Sequence, residues 1–514
     1  MKLLFGAAVM SGCLATLQSE AGGFPFFQPL APPRSLQVMA HRGAAAQAPE
    51  NTRPALERCI EDGLEWVEVD VRLTKDGQFI LAHDAEIVVP PNGVWRLKEH
   101  TWGELSQLEV GSTFGPRHGG TRLLSLTECF ELARGRINLY LDCKDVDPAQ
   151  LAREIIAARM ENQVVVYDTL VNLQRISASA GGRLATMAKW HPGMEIASWV
   201  QTNSLAAVEI NADEITPDVV KAFHGLGIKV ETKNLDAWDR PDYWDQAMDA
   251  GADWIQTDLP EEVLARALSR LPGTRPVRIS CHRGASRYAP ENTVPAFEKA
   301  IRLGVDFVEF DVRTTSDGKL FLLHDGQLDR TTDGKGPISA TPSSVVTGLS
   351  AGSHFGSRFA GMRVPSLDEF FDAVAGKVGL YLDAKAIAPE ALAEVLQRHN
   401  AVSRAVVYQH PDFLLRLKEI NPEIRAMPPL GSLQELPGLI ARLKPYAVDA
   451  RWSTLSKELI EQCHKAGILV FSDALGSHER VEDYLQAIRW GIDVIQTDHP
   501  LRVMRAIELA SRKP

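Results

Sequence analysis

Short runs of β-branched and apolar residues alternate with longer amphipathic stretches through the first half of the chain. Pro54 to Asp62 and Pro148 to Met160 repeat their apolar positions at helical spacing, whereas the short runs have the length of buried strands. Eight such runs occur, at residues 36–42, 66–72, 138–143, 164–167, 185–189, 206–211, 228–232 and 253–257. Eight strands with intervening helices in about 235 residues predict an α/β fold of the (β/α)8 TIM barrel type.

The same pattern returns in the second half of the chain. The run HRGAAAQAPENT at residues 41–52 reappears as HRGASRYAPENT at residues 282–293, with nine of twelve positions identical. A period of 241 residues, from 41 to 282, is far longer than a solenoid unit, so each copy should be a complete domain. The sequence therefore predicts two tandem barrels, over residues 35–270 and 277–514, after a leader and linker over residues 1–34.

A further strand-like run at residues 79–84 follows a strong turn signal. Asp76-Gly77 lies between two alternating runs, as in a β-hairpin with a two-residue turn. A hairpin centred there would set His83 directly across from Asp70. The second copy repeats this spacing at Asp311 and His324. Each barrel is therefore predicted to carry a hairpin that brings a histidine to a carboxylate.

Composition and charge restrict the class of protein. The chain is 45% hydrophobic and 24% charged, which is typical of soluble globular proteins. Its 55 Lys and Arg against 66 Asp and Glu leave a net charge of −11, which disfavours nucleic acid and anionic membranes as partners. The six cysteines form no CxxC pair, so neither a disulfide framework nor a thiolate metal site is indicated. We expect no nucleic-acid partner.

The N-terminus has the pattern of a targeting segment. Lys2 precedes an apolar run from Leu3 to Leu14, and Ser19-Glu20-Ala21 resembles a signal-peptidase site. A secretory signal peptide is the expected interpretation, and a disordered tail or lipoprotein processing at Cys13 are the alternatives. No later run reaches 18 apolar residues, so no transmembrane segment is expected in the mature chain. We expect a secreted or periplasmic protein.

Polar side chains collect at the ends of predicted strands one, two and three, where barrel enzymes place their chemistry. Three carboxylates without a thiolate suit Mg2+ or Ca2+. Two histidines can divide acid and base work near neutral pH, while Arg and Lys hold an anion. The set points to phosphoryl chemistry with one divalent cation per domain. Its members are His41, Arg42, Glu68, Asp70, His83, Asp142 and Lys144 in the first copy, and His282, Arg283, Glu309, Asp311, His324, Asp383 and Lys385 in the second.

Each of these residues taken alone also has an ordinary structural explanation. A Glu-x-Asp pair is often a solvated face, a single histidine is often a hydrogen-bonded structural residue, and an Asp-x-Lys pair can be an internal ion pair. Asn51 or Thr52 would serve as the cap of the helix that follows. The recurrence of the whole set in one register, twice in one chain, favours the functional interpretation.

The ordered motifs resemble the glycerophosphodiester phosphodiesterase family. They are HRG and PENT, V-E-V-D-V or V-E-F-D-V, T-x-D-G with a later His-Asp, and a final Gln-Thr-Asp-x-Pro. The resemblance covers residues 36–265 and 277–505 and implies barrels of the phospholipase-C-like type, with insertions after His-Asp at residues 85–137 and 326–379. It also implies metal-dependent hydrolysis of substrates such as glycerophosphocholine and glycerophosphoethanolamine to glycerol 3-phosphate and an alcohol.

The resemblance assigns roles to matching residues of both copies. His41 with His83, and His282 with His324, would be the acid and base pairs. The residue types further suggest phosphate binding by Arg42, Lys144, Arg283 and Lys385. The implied metal ligands are Glu68, Asp70 and Asp142 in the first copy and Glu309, Asp311 and Asp383 in the second.

The chain departs from the family pattern in three regions. Near strand seven, Glu231-Thr232-Lys233-Asn234 and Phe471-Ser472-Asp473-Ala474 replace the expected aromatic-Thr-x-Asn segment. Asp142-Cys143-Lys144 and Asp383-Ala384-Lys385 replace the usual Glu-x-Lys, as in the related sphingomyelinase D type enzymes. The insertion of copy two keeps the polar run Asp329 to Gly336, whereas copy one has the apolar run Ile87 to Gly93 there. Two alternatives therefore stay open: a phospholyase that stops at a cyclic phosphate, and a repeat, most simply the first, that is a non-catalytic binding domain.

Overall fold

A computed structural model describes residues 23–91, 93–273 and 275–512 of the chain as two β-barrels ringed by helices. The predicted signal peptide and Cys13 lie outside the described residues. Within the described ranges, no helix combines the length and the apolar character needed to cross a bilayer.

The first barrel contains eight parallel strands in a closed ring. Its eight barrel strands are β1 Gln37–Ala40, β2 Trp66–Leu73, β6 Asn138–Asp145, β7 Val164–Tyr167, β8 Ala185–Lys189, β9 Ala207–Asn211, β10 Lys229–Lys233 and β11 Trp254–Thr257. Three strands lie outside the ring: β3 Phe79–Leu81 forms a hairpin with β2, and β4 Glu86–Val89 forms a separate hairpin with β5 Gly93–Arg96. Its helices are α1 Arg53–Glu61, α2 Trp102–Leu105, α3 Leu126–Ala133, α4 Pro148–Ala157, α5 Leu170–Ala180, α6 Ile196–Asn203, α7 Pro217–His224, α8 Pro241–Ala250 and α9 Pro260–Ser269. The ring runs β1-β11-β10-β9-β8-β7-β6-β2 and closes between β2 and β1, so the barrel prediction is confirmed and all eight runs fall within two residues of a strand.

The second barrel repeats this order, with one strand position divided in two. Its strands are β12 Arg278–Cys281, β13 Phe307–Thr314, β14 Leu320–Leu322, β15 Gly379–Ala386, β16 Ala405–Tyr408, β17 Arg425–Met427, β18 Pro429–Leu430, β19 Ala447–Ala450, β20 Leu469–Asp473 and β21 Val494–Thr497. Its helices are α10 Val294–Arg302, α11 Ser343–Val346, α12 Leu367–Val374, α13 Pro389–Arg398, α14 Pro411–Ile420, α15 Leu436–Leu443, α16 Lys457–Lys465, α17 Val481–Trp490 and α18 Pro500–Ser511. Pro428 separates β17 from β18 because proline has no N–H for the ladder, yet its carbonyl still accepts from Asp449.

Side chains of alternate residues fill the barrel interior in layers. In the first barrel, Trp66 and Trp254 lie at the base, with ring centroids 4.4 Å apart. Phe26 packs edge-on against both rings, at 5.4 and 5.1 Å. Arg34 bonds Glu65 of the first barrel and Glu508 of α18. The described part of the predicted linker, residues 23–34, thus closes the base of one barrel and joins it to the other.

The predicted register of the β2–β3 hairpin is wrong by one residue. Val71 faces Leu81, and Ala82 N donates to Asp70 O at 3.0 Å, so Ala82 rather than His83 lies opposite Asp70. The loop has three residues, Lys75 to Gly77, and Gly77 takes the left-handed conformation that such loops require at φ 77°. The second barrel shows the same shift, with Val312 facing Leu322.

The two barrels contact each other through matching elements. Lys299 on α10 is buried between Glu261 and Glu262 on α9 of the first barrel. The two insertions also meet, where Ser357 N donates to Phe114 O at 3.0 Å. These contacts make a continuous interface between the repeats.

Candidate active site

In each barrel, three carboxylates from two neighbouring strands meet at one point. Glu68 and Asp70 lie two residues apart on β2. Asp142 lies on the neighbouring strand β6 and pairs with Asp70 in the parallel register. Each of the three offers an oxygen within 4.8 Å of the others. Lys144 Nζ lies 2.7 Å from Asp142 Oδ2 and 3.4 Å from Asp70 Oδ1. The second barrel repeats the triad and its lysine with Glu309, Asp311, Asp383 and Lys385.

The turn after β1 directs its backbone at the triad. Arg42 and Gly43 both take left-handed conformations, at φ 54° and 81°. A Cβ on Gly43 would lie 2.8 Å from the Cβ of Ala55, so only glycine allows α1 to approach this closely. The turn brings Arg42 N to 2.7 Å from Glu68 Oε2, to which it donates. Arg283 N donates to Glu309 in the same way, at 2.7 Å.

A buried asparagine holds the second carboxylate. Asn51 Nδ2 donates to Asp70 Oδ2 at 2.8 Å, and Asp70 N donates back to Asn51 Oδ1 at 3.0 Å. The helix that follows has Thr52 at its N-cap position, without a capping bond from its side chain. Asn51 is therefore no helix cap but a positioning residue for Asp70, and Asn292 does the same for Asp311.

The triads contain acceptor atoms that the described residues do not satisfy. Glu68 Oε1, Asp70 Oδ1 and Asp311 Oδ1 are buried without a hydrogen-bond partner. Burial and then the neighbouring carboxylates raise the pKa of Glu68, and likewise of Glu309, well above its usual value. Clustered carboxylates short of positive charge are ligands for a hard cation. The residues of both triads therefore fit a divalent cation.

Each candidate histidine is paired through Nδ1 with an aspartate. His41 Nδ1 lies 2.7 Å from Asp258 Oδ1, and His83 Nδ1 lies 2.8 Å from Asp84 Oδ1. An acceptor on Nδ1 fixes the ring and its tautomer. Arg42 Nε donates to His41 Nε2 at 3.2 Å and so connects this ring to the triad. The second barrel contains the corresponding pairs His282–Asp498 at 2.9 Å and His324–Asp325 at 2.7 Å.

The second histidine is positioned by a side chain of β2 and not by the strand ladder. Arg72 Nε donates to the carbonyl of His83 at 2.8 Å, beyond the last paired residue of β3. In the described chain, His83 makes no hydrogen bond to the triad. In barrel two, burial raises the pKa of Asp383 while the charges of Lys385 and His324 oppose the rise, so His324 lies close to that triad.

The rims of the two sites differ. In barrel two, Arg330 lies 2.7 Å from Glu291 and 2.7 Å from Asp325. Burial alone would raise the pKa of Glu291, but Arg330 and Arg283 hold it below its usual value. Barrel one has Val89 where barrel two has Arg330. The side chain of Glu50, which matches Glu291, is 48% exposed, against 18% for Glu291.

The rim of barrel one carries the β4–β5 hairpin instead of this ion network. Val88 and Val94 face each other across the hairpin and are 66% and 55% exposed. The base of the hairpin stays close to the site, because Leu97 N donates to Ala85 O and Lys98 lies 3.0 Å from Asp145 at the end of β6. The rim of site one therefore carries two exposed valines beside the Lys98–Asp145 and Arg96–Glu86 ion pairs, where site two has the ion network of Arg330.

The structure adds residues that the sequence motifs did not identify as part of the site. These residues orient a histidine or a metal-site carboxylate, and each occurs in both copies. Their signals were present in the His-Asp dipeptide, the PENT motif and the Gln-Thr-Asp motif. They are Asn51, Asp84 and Asp258 in barrel one, and Asn292, Asp325 and Asp498 in barrel two.

Fold and site together define a duplicated (β/α)8-barrel enzyme with an acidic, histidine-flanked centre at the C-terminal end of each barrel. The sequence model of the glycerophosphoryl diester phosphodiesterase family matches residues 41–262 and 282–502. The chain belongs to this family, which is one of phosphoric diester hydrolases.

Similarity to single relatives covers about half of the chain at a time. A glycerophosphodiester phosphodiesterase of Caldanaerobacter subterraneus subsp. tengcongensis is 32% identical over 236 residues, which are 43% of this chain and 94% of the relative. Glycerophosphodiester phosphodiesterase 1 of Mus musculus is 36% identical over 304 residues, which are 50% of this chain and 90% of that protein. A crystal structure of a glycerophosphodiester phosphodiesterase from Agrobacterium tumefaciens covers 45% of this chain and 99% of its own, at 30% identity and a TM-score of 0.41.

Proposed function

We propose that both barrels hydrolyse glycerophosphodiesters to glycerol 3-phosphate and an alcohol, each with one divalent cation and two histidines. The observation that carries the proposal is the same constellation in both barrels. In each, buried carboxylate oxygens that lack partners lie near two histidines paired with aspartates. Glycerophosphocholine and glycerophosphoethanolamine are the substrates we propose.

The carboxylate triads hold the cation in this proposal. Glu68, Asp70 and Asp142 provide hard oxygen ligands that suit Mg2+ or Ca2+, and Glu309, Asp311 and Asp383 provide them in barrel two. When bound, such a cation neutralises charge on the phosphodiester and polarises its oxygens. Asn51 and Arg42 N keep two of the carboxylates in place before the cation arrives.

The basic side chains beside the triad bind the phosphate. Arg42 and Lys144 are partly exposed and lie against the carboxylates of Asp70 and Asp142. Burial alone would lower the pKa of Lys144, but its bond to Asp142 and the nearby charges raise it, so this lysine stays protonated. A guanidinium and an ammonium group on one side of the site can donate hydrogen bonds to the anionic oxygens of a phosphodiester.

The pairing of each histidine suggests its role. His41 donates through Nδ1 to Asp258, which leaves Nε2 unprotonated. Nε2 accepts a hydrogen bond from Arg42 Nε, and in this proposal it exchanges that bond for the proton of the attacking hydroxyl. His83, nearer the surface and paired with Asp84, donates a proton to the leaving alcohol. His282 and His324 take the same two roles in barrel two.

The attacking hydroxyl belongs either to water or to the glycerol moiety of the substrate. Attack by water gives glycerol 3-phosphate directly, whereas attack by the 2-hydroxyl gives a cyclic phosphate, as in a phospholyase. The aspartate at the third triad position, Asp142 or Asp383, is the one observation that favours the lyase, because sphingomyelinase D type enzymes share it.

Phosphorus NMR of the products of glycerophosphocholine separates these outcomes. We expect glycerol 3-phosphate as the final product, formed with Mg2+ or Ca2+ and abolished by a chelator. If a cyclic phosphate accumulated instead, the enzyme would be a phospholyase and not a hydrolase. Turnover that survives complete removal of divalent ions would contradict the assignment of the triads to a cation.

A further inference from the structure

The inner faces of the two barrels differ in charge on three consecutive strands. In barrel one, Lys189 of β8, Glu209 of β9 and Glu231 of β10 lie side by side in the strand register. Lys233 follows two residues after Glu231 on the same face. These four groups carry two positive and two negative formal charges, so this wall of the barrel is neutral.

The same register positions of barrel two hold a different set. Pro429 of β18 pairs with Asp449 of β19, and Asp449 pairs with Phe471 of β20, while Asp473 follows two residues later. Asp473 faces Gln496 as Lys233 faces Gln256, which confirms that Asp473 replaces Lys233. This wall therefore has two carboxylates and no cation.

Both carboxylates of barrel one have lysine charges nearby. Lys189 Nζ lies 3.2 Å from Glu209 Oε1, and Tyr140 donates to Glu209 Oε2 at 3.2 Å. Both oxygens of Glu231 are buried without a hydrogen-bond partner, but the charges of Lys233 and Lys189 oppose the rise in its pKa that burial causes. Asp449 Oδ1 and Asp473 Oδ1 are also buried without a hydrogen-bond partner, and neither side chain makes an ion pair in the described ranges. Arg451, the nearest basic residue along β19, lies past the end of the strand and is exposed.

Both carboxylates of barrel two face the active site. Asp473 lies two residues after Phe471 of the barrel interior and pairs with Gln496, at the end of the barrel that carries the catalytic set. Burial raises the pKa of Asp473 to about 6, and the charges of His282, Asp383 and Lys385 act on it as well. Burial and the charges of Asp473 and Asp383 raise the pKa of Asp449 well above its usual value. A cationic group of a substrate in site two therefore favours the ionised form of two carboxyl groups that have no lysine beside them in this wall, unlike the carboxylates of site one.

We propose that Asp449 and Asp473 make barrel two selective for phosphodiesters whose alcohol carries an ammonium group, and that Lys189 and Lys233 make barrel one selective for those of uncharged alcohols. In barrel two, the ammonium group supplies the counter-charge that lysines supply in barrel one. This inference rests on the proposed function, because it divides the substrates of that reaction between the two sites.

The test uses two variants with a single working site each. The barrel-two-only enzyme carries Glu68→Gln and Asp70→Asn, and the barrel-one-only enzyme carries Glu309→Gln and Asp311→Asn. For each, kcat/KM is measured with glycerophosphocholine and with glycerophosphoglycerol, whose alcohol is uncharged. We expect the choline-to-glycerol ratio to be at least about tenfold higher for barrel two, the effect of one unscreened charge at short range.

Exchanging the charges should exchange the preference. Asp473→Lys in the barrel-two-only enzyme should lower the ratio about tenfold, and Lys233→Asp in the barrel-one-only enzyme should raise it by a similar factor. Glu482→Lys, an equal charge change at an exposed position of α17, is the matched control and should leave the ratio unchanged.

Each other outcome overturns a distinct claim. Equal ratios in the two enzymes would overturn this inference and leave the proposed function intact. No turnover by barrel two alone would overturn both the inference and the proposal that both barrels are active. If calorimetric titration with Ca2+ showed two ions bound to barrel two and one to barrel one, Asp449 and Asp473 would be a second metal site and the inference would be wrong. If neither substrate were hydrolysed by the wild-type chain, the proposed function itself would fail.

Discussion

Barrel one and barrel two share their centres and differ at their rims. The triads, the turn after the first strand, the asparagine and both histidine–aspartate pairs recur at matching positions. The rims do not: Arg330 of barrel two bonds Glu291 and Asp325, whereas barrel one has an exposed apolar hairpin in that region.

This difference separates the chemistry from the choice of substrate. Groups that would hold the cation and move protons are retained twice, because each depends on several others for its position. The rim residues differ between the barrels although these central contacts are the same in both. We therefore expect matching substitutions at the two centres to have similar effects in both barrels, and substitutions at a rim to affect only the barrel that carries it.

The largest effect should come from the histidines. We expect His41→Ala in the barrel-one-only enzyme and His282→Ala in the barrel-two-only enzyme each to lower kcat by about 10²- to 10⁴-fold, since each removes the proposed base. His464→Ala, at a histidine near the end of α16 that pairs with Asp493 and with no residue of either site, should leave kcat unchanged. A large loss in only one barrel would mean that the centres are not equivalent.

The second largest effect should come from the asparagines that hold the metal-site aspartates, as a loss of affinity for the cation. Asn51→Ala and Asn292→Ala remove the bonds that hold Asp70 and Asp311, so each should weaken Ca2+ or Mg2+ binding at its own barrel by about 10- to 100-fold. Calorimetric titration of the metal-free protein measures this directly. Asn172→Ala, which breaks a side-chain bond on α5, is the control. Unchanged affinity would mean that the asparagines do not position the metal ligands.

Arg330 should matter only to barrel two. Arg330→Ala frees Glu291 and removes a partner of Asp325, which orients His324, so we expect kcat/KM of the barrel-two-only enzyme to fall about five- to tenfold. Lys335→Ala, at a side chain that is 78% exposed, should have no effect. An undiminished kcat/KM would show that the ion network at this rim does not support catalysis.

The smallest effect should be a pH dependence of the free energy of unfolding, to which both barrels contribute. Burial raises the pKa of Glu68 and Glu309, so the metal-free folded state binds more protons than the unfolded state. The free energy of unfolding of the metal-free protein should therefore fall as pH rises above the usual glutamate range, as between about pH 6 and about pH 8. A divalent cation competes with these protons, so its stabilising effect should grow over the same interval.

Thermal unfolding with and without Ca2+ at the two pH values measures this dependence. Glu68→Gln with Glu309→Gln should flatten it, because neither side chain can then ionise. A metal-free protein that becomes more stable with rising pH would contradict the buried, uncompensated state of the two glutamates.

Much of the fold and of the central site follows from sequence patterns alone. Buried strands give compact apolar runs, so the eight strands of barrel one were predicted closely. The duplication identified the central residues, since they recur in one register while residues 151–163 match residues 392–404 at only 2 of 13 positions. The structure brings Glu68, Asp70, Asp142, Arg42 and Lys144 together as expected.

The remaining features depend on contacts that no local pattern specifies. The hairpin register was missed because Gly77 adopts a left-handed conformation and lengthens the loop to three residues. The partnership of Asn51 with Asp70 joins residues from different elements, and a capping role explained Asn51 equally well from the sequence. The split strand at Pro428 shifts no residue of the site and left no signal in the repeat.

The central claim is that the chain contains two working, metal-dependent phosphodiesterase sites. The most direct measurement is glycerol 3-phosphate release from glycerophosphocholine and glycerophosphoethanolamine, with Ca2+, with Mg2+ or with a chelator. It compares the wild type, Glu68→Ala/Asp70→Ala, Glu309→Ala/Asp311→Ala and the variant with all four changes. We predict metal-dependent release that each pair weakens and that all four changes abolish. Release that one pair alone abolishes, or that a chelator does not affect, would contradict the claim.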